Sequence, residues 1–276
     1  MTGRVRVIGP AAAMIVLLAA MILAPEPART QNAEQARQLP IEVTADQGIE
    51  WNQNEKLYVA RGNAVATRGE VRISGDTIAA AYEEHGQGDS EIYQVEVTGA
   101  VVVSAPGKTL YGDRAIYDLR QAVVVLQGGD LRAELGEETV TARDSLEYWE
   151  ERLTAVARGE AVARGRDRTI RADVLTALFE RQDDGNLRAV QMNTHGNTRI
   201  TTADEVVTGR DGIYDVVKET ITLEGGVKIT RETMQLNGGR AEMDLRTGIS
   251  RLLPSPDGDG RVSGLILPTP GNKERE

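Results

Sequence analysis

Residues 140–164, VTARDSLEYWEERLTAVARGEAVAR, decide the fold. Val140, Ala142, Leu146 and Tyr148 share the period-two phase of a strand. Glu150-Glu151-Arg152 makes a polar reversal, and a second strand runs from Leu153 toward Ala163. The unit is a hairpin-like step. Residues 43–67, VTADQGIEWNQNEKLYVARGNAVAT, repeat it 97 positions earlier. Val43-Thr44-Ala45 stands for Val140-Thr141-Ala142, Arg61-Gly62 for Arg158-Gly159, and Ala64-Val65-Ala66 for Ala161-Val162-Ala163.

Outward from this pair, a small residue followed by a charged one opens each unit: Ala45-Asp46, Gly75-Asp76, Gly112-Asp113, Ala142-Arg143, Ala172-Asp173, Gly209-Arg210 and Gly239-Arg240. The spacings run 30, 37, 30, 30, 37, 30, so the series itself repeats. Trp51, Tyr82, Tyr117, Tyr148, Phe179, Tyr214 and Leu245 precede the turns, as a rim-closing ladder would. The predicted fold is all-β: an elongated, twisted β-jelly-roll of stacked antiparallel hairpin repeats, internally duplicated, with its apolar face folded into two facing sheets. Residues 41–137 are the first half and 138–268 the second, continuous with it. A linear array leaves an unpaired edge at each end for covering or for strand addition.

The termini read differently. Arg4 and Arg6 precede an apolar run from Ala11 to Ala24, the pattern of a secretory signal over residues 1–31, with an uncleaved anchor as the alternative. Residues 32–40 read as a linker and 269–276 as a disordered tail. The formal charge is −10, and removal of Arg4, Arg6, Arg29 and Glu26 with the leader would make it −12. With no basic stripe interleaved with aromatics, nucleic acid is not an expected partner.

Catalysis finds no support. The chain has no cysteine, and no P-loop, G-x-S-x-G, H-E-x-x-H or calcium-loop pattern. His85 and His195 are expected at exposed loop and turn positions. The charged anchors are expected to form a cross-step ladder in which Asp113, Arg143, Asp173 and Arg210 alternate in sign. No metal or cofactor is expected. The remaining candidate is the apolar face, either an ordinary sandwich core or an underfilled groove, lined by Ile49, Val59, Ile73, Val97, Val103, Ile116, Val125, Leu146, Ile170, Met192, Ile213, Leu223 and Ile229.

The anchors, Ile116-Tyr117-Asp118 with Ile213-Tyr214-Asp215, and Leu126-Gln127-Gly128-Gly129 with Leu223-Glu224-Gly225-Gly226 resemble the OstA/LptA family of lipopolysaccharide-transport proteins. The stretches Gly238 to Leu245 and Gly260 to Leu265 resemble the end of LptA-type chains. The resemblance implies a periplasmic carrier or bridge that shelters lipopolysaccharide acyl chains between two sheets. It implies partners at the edge strands, an LptC-like inner-membrane component and an LptD-like outer-membrane component, and head-to-tail self-association. Two other readings stay open: an anchored LptC-like adaptor of the same pathway, and a β-repeat scaffold that binds no lipid.

Overall fold

The computed structural model describes residues 41–85, 89–182, 187–255 and 260–267. The leader, the linker, the tail and the tips of the longer loops fall outside the described residues. Eighteen strands follow in chain order. They are β1 (Glu42–Thr44), β2 (Ile49–Asn52), β3 (Leu57–Arg68), β4 (Val71–His85), β5 (Asp89–Ala105), β6 (Lys108–Asp118), β7 (Val123–Gln127), β8 (Arg132–Leu135) and β9 (Glu138–Thr141). Then come β10 (Ser145–Trp149), β11 (Thr154–Arg164), β12 (Arg168–Arg181), β13 (Leu187–Thr202), β14 (Glu205–Asp215), β15 (Thr220–Arg231), β16 (Met234–Asp244), β17 (Ile249–Leu253) and β18 (Ser263–Ile266). All their pairings are antiparallel, as the sequence predicts.

Each long strand serves two layers. The first part of β3 pairs with β2, through Ile49↔Ala60, and its second part pairs with β1, through Val43↔Ala66. The same division recurs at β6, which meets β7 with one half and β8 with the other. It recurs again at β11, with β10 and β9, and at β16, with β17 and β18. Sheet A therefore runs from β2 to β17 and sheet B from β1 to β18, joined along a seam where every long strand crosses over. The opposite side, where the hairpin turns lie, is the mouth.

Local chemistry fixes the crossing. On odd-numbered long strands it is a pair of residues with positive φ: Gly62-Asn63, Gly99-Ala100, Gly159-Glu160, Gly196-Asn197 and Gly225-Gly226. Each marks a register shift of one extra residue, a bulge that bends the strand. The neighbouring strand brings the small-charged dipeptide to the same level. The small residue faces inward, where room is lacking: a Cβ on Gly75 would lie 2.6 Å from Val97 Cγ1. The charged residue packs over the kink: Asn63 Nδ2 donates to Asp46 at 2.7 Å, Gly129 N to Asp113 at 2.7 Å, and Asn197 Nδ2 to Asp173 at 2.9 Å.

The expected anchor-to-anchor ladder does not form. Successive anchors stand on every second strand, about 9.6 Å apart, with a kink between them. Arg143 instead pairs with Asp144 and Glu160, and Arg210 with Asp211. His195 lies within β13 rather than in a loop, its Nδ1 2.7 Å from Asp211 Oδ1, and His85 ends β4.

The turns follow sequence chemistry too. Asn52, Asp118, Asp215 and Asp244 each accept backbone N–H groups two or three residues on, which closes the sheet A hairpins. The Tyr-Asp motif is thus a rim aromatic followed by its turn-forming carboxylate.

Candidate functional site

Between the layers lies one continuous apolar interior. Its main cluster runs from Ala60 to Met192 and draws on both sheets; a second, around Val207, Leu223, Val227, Ile229 and Ala241, continues it toward β17 and β18. Ile200 touches both clusters. Thr194 and Thr198 interrupt the apolar surface here, with the buried Thr198 hydroxyl bonded to Thr194 Oγ1 and to the Arg210 carbonyl.

Side-chain size is graded across this interior. Gly75, Gly112, Ala161, Ala172 and Gly209 stand at the seam, Val103, Leu146 and Ile170 farther out, and Tyr117, Tyr148, Phe179 and Tyr214 at the sheet A rim. Small residues where the layers join and large ones where they part give a wedge-shaped section, narrow at the seam. At the β2 end the aromatic rim includes Trp51, stacked on Tyr58 with centroids 5.9 Å apart and donating from Nε1 to Tyr82 Oη at 2.7 Å.

The facing lip, on sheet B, is charged. Arg68, Lys108, Glu138 and Arg168 share the inward phase of Ala66, Leu110, Val140 and Ile170 two residues away. Burial lowers the Lys108 ammonium and pushes the Glu138 carboxyl up to about 7. Burial likewise drives the Tyr148 phenol up to about 12 and raises that of Tyr214, against which the Arg168 charge on the other layer works. A pocket of about 10 Å³, room for about one water, lies between Glu138, Val140, Ala163, Arg168 and Ile170. The sequence did carry a signal for this lip, namely charges in step with buried neighbours.

The predicted groove residues divide by phase. Ile73, Val97, Val103, Leu146, Ile170, Met192, Leu223 and Ile229 face the interior, most of them buried, as with Leu146 at 1 % exposure. Ile49 shares that phase but lies on the edge strand β2 and is 56 % exposed, as is Trp51. Val59, Ile116, Val125 and Ile213 belong to the opposite face of sheet A. Their neighbours Ala60, Ala115, Leu126 and Gly212 point inward, while they pair with Glu50, Glu96, Glu147 and Asn193. Ile213 is 49 % exposed there.

One part of the outer face of sheet A is a tightly bonded polar cluster. Glu147, with a side chain only 10 % exposed, accepts from Arg158 Nε at 2.7 Å, Ser145 Oγ at 2.9 Å and Trp149 Nε1 at 3.1 Å. Burial pushes its carboxyl up, but the bonds from Arg158, Ser145 and Trp149 outweigh it and hold the group below the usual carboxylate range.

Among the described residues both ends of the array are unpaired and apolar. Beside Ile49 and Trp51 at one end, Ile249, Leu265 and Ile266 are exposed at the other. Among the described residues no group of three or more His, Asp or Glu could hold a metal ion. No helix among them is long and apolar enough to cross a membrane.

Comparison with known proteins adds the following. Residues 42–144 match the family described as LptA/(LptD N-terminal domain) LPS transport protein. No curated protein matches the chain. Among solved structures, LptH, the LptA homologous periplasmic component of the conserved lipopolysaccharide transport device from Pseudomonas aeruginosa, aligns with 84% of this chain and 99% of its own. The identity is 13% and the TM-score 0.22.

Proposed function

We propose that this chain, of the OstA/LptA type by its match over residues 42–144, serves lipopolysaccharide transport as a periplasmic carrier that holds acyl chains between its two sheets. The observation that carries the reading is the wedge-shaped apolar interior, which extends through both clusters and ends in exposed apolar edges at β2 and β18. Each buried methylene is worth about 0.8 kcal/mol, so a lipid with several acyl chains needs such shelter to cross water as a monomer. The wedge is filled as it stands. Eleven of the 27 buried residues in the main cluster are alanine, and the layers close on one another. Loading therefore requires them to part at the mouth, hinged on the kinked seam, with acyl chains replacing contacts of Tyr148, Phe179 and Tyr214. In this account the edge strands couple to LptC-like and LptD-like partners or to a second copy, and the energy for transfer comes from a partner. Residues 1–31 direct export in this account.

The test is retention of labelled lipopolysaccharide by the purified mature chain on gel filtration. The account predicts a stable, near-stoichiometric complex that a detergent displaces. Elution of all label away from the protein contradicts it.

A further inference from the structure

The two outer faces differ in how their cations are compensated. On sheet A, the cations Arg61, Arg114, Arg158 and Arg240 are each within 4 Å of a carboxylate, those of Glu50, Glu96, Glu147 and Glu224 respectively. On sheet B, the outward phase of β11 to β15 holds Arg164, Arg171, Arg199 and Lys228, all exposed, and none has a partner among the described residues. Arg171 and Arg199 stand directly opposite each other across β12 and β13. Like charges in that position oppose strand pairing. The row continues through Thr208 to Lys228, three strand spacings or about 14 Å from Arg171. The parallel row nearer the mouth is Thr139, Arg164, Thr169, Thr201, Val206 and Thr230. Asp167, Asp204 and Glu232 on the hairpin turns form no ion pair with these four cations, and Asp173, two residues along β12 from Arg171, accepts from Asn197 instead.

A protein of net charge −10 thus carries an uncompensated cationic surface of arginine and threonine. Arg164 also lines the pocket at the mouth beside Arg168, which joins this surface to the apolar interior. We infer that the outer face of sheet B around Arg164, Arg171, Arg199 and Lys228 binds a phosphate-bearing saccharide, the headgroup of the lipid whose acyl chains occupy the wedge. This rests on the proposed function. Guanidinium groups take phosphate oxygens in charge-assisted, bidentate fashion, and the interleaved threonine hydroxyls suit a hydroxyl-rich ligand. The outward phase of β11 to β15 offers an acidic protein no aromatic anchor, Tyr111 of the same row lying four strands from Arg171 beneath Arg132, and offers a membrane no apolar residue to insert beyond Val162 and Val206.

The experiment uses the mature chain and its Arg171→Gln/Arg199→Gln variant with three probes: intact lipopolysaccharide, its fully deacylated phosphosaccharide, and that saccharide after phosphatase treatment. The phosphosaccharide is expected to bind the wild type, to bind the variant at least tenfold more weakly, and to lose binding as salt rises. The dephosphorylated probe should not bind. The variant should melt no lower than the wild type, since a repulsion has been removed. Equal phosphosaccharide binding by both proteins, or none by the wild type, overturns the inference. So does a lowered melting temperature in the variant, which would make the pair structural. Vesicles of anionic phospholipid bound in place of the saccharide would assign the face to a membrane and overturn it as well. Failure of the proposed function looks different: intact lipopolysaccharide then binds no better than its deacylated form, while the phosphosaccharide still distinguishes wild type from variant.

Discussion

Gly128 tests the kinked seam most sharply. It leads the chain from β7 in sheet A toward β8 in sheet B with φ +144, a conformation essentially reserved for glycine, and a Cβ there would lie 2.5 Å from the Asp113 backbone nitrogen. In Gly128→Ala the backbone conformation costs about 1 to 3 kcal/mol. Moving backbone on a neighbouring strand to relieve the contact adds about 1 to 3 kcal/mol. The expected loss is thus about 2 to 6 kcal/mol, taking both contributions together. Gly136, in the β8–β9 turn, is the control: its φ is +63 and nothing lies within 4 Å of the added Cβ, so Gly136→Ala should cost only the left-handed strain of about 1 to 2 kcal/mol. Urea unfolding followed by tryptophan fluorescence reads both, because Trp149 on β10 pairs directly with Val123 on β7. Equal midpoints for the two variants would refute the claim that close approach at the seam, and not merely positive φ, shapes the array.

The phase assignment predicts that Leu223→Ala lowers stability by about 2 to 5 kcal/mol, whereas Ile213→Ala, on the opposite face, stays within about 1 kcal/mol; chemical denaturation measures both. Glu138 titrates near 7 in the folded chain against about 4.3 unfolded, so the native state binds the proton more tightly. Its contribution is fully present below the unfolded pKa and is lost as pH rises toward 7. Screened by solvent, that loss is about 1 kcal/mol, and Glu138→Gln should remove it from a stability–pH curve. Glu147 behaves oppositely: its depressed pKa gives stability that is present above the unfolded value and disappears as pH falls through the folded one. Glu147→Gln should therefore be less stable at neutral pH by about 1 to 3 kcal/mol and lose less on acidification below pH 4, measured by melting temperature.

Much of this was legible from residue order. The 97-residue offset reappears in the backbone, since Gly159, Gly196 and Gly225 follow Gly62, Gly99 and Gly128 by that interval, all with positive φ. The rim aromatics lie where their place before each turn put them. Phase was harder to read, because crossing the seam takes four residues on β3, from inward Ala60 to inward Ala64, and three on β6, from Gly112 to Ala115. A reader counting alternate residues therefore enters sheet A in the wrong phase on β6, and Ile116 and Ile213 look like core. Anchor partners were equally hidden, because the kink that each anchor covers belongs to a strand distant in sequence. The cationic face of sheet B follows only once pairing sets Arg171 opposite Arg199.

Acyl chains between the layers are the central claim, and site-specific photo-crosslinking by phase tests it most directly. A crosslinker at Val103, Leu146 or Ile170, inside the wedge, should capture lipopolysaccharide, and one at Ile116 or Ile213, on the outer face of sheet A, should not. Capture from Ile116 and Ile213 with none from the three inward positions would contradict the account.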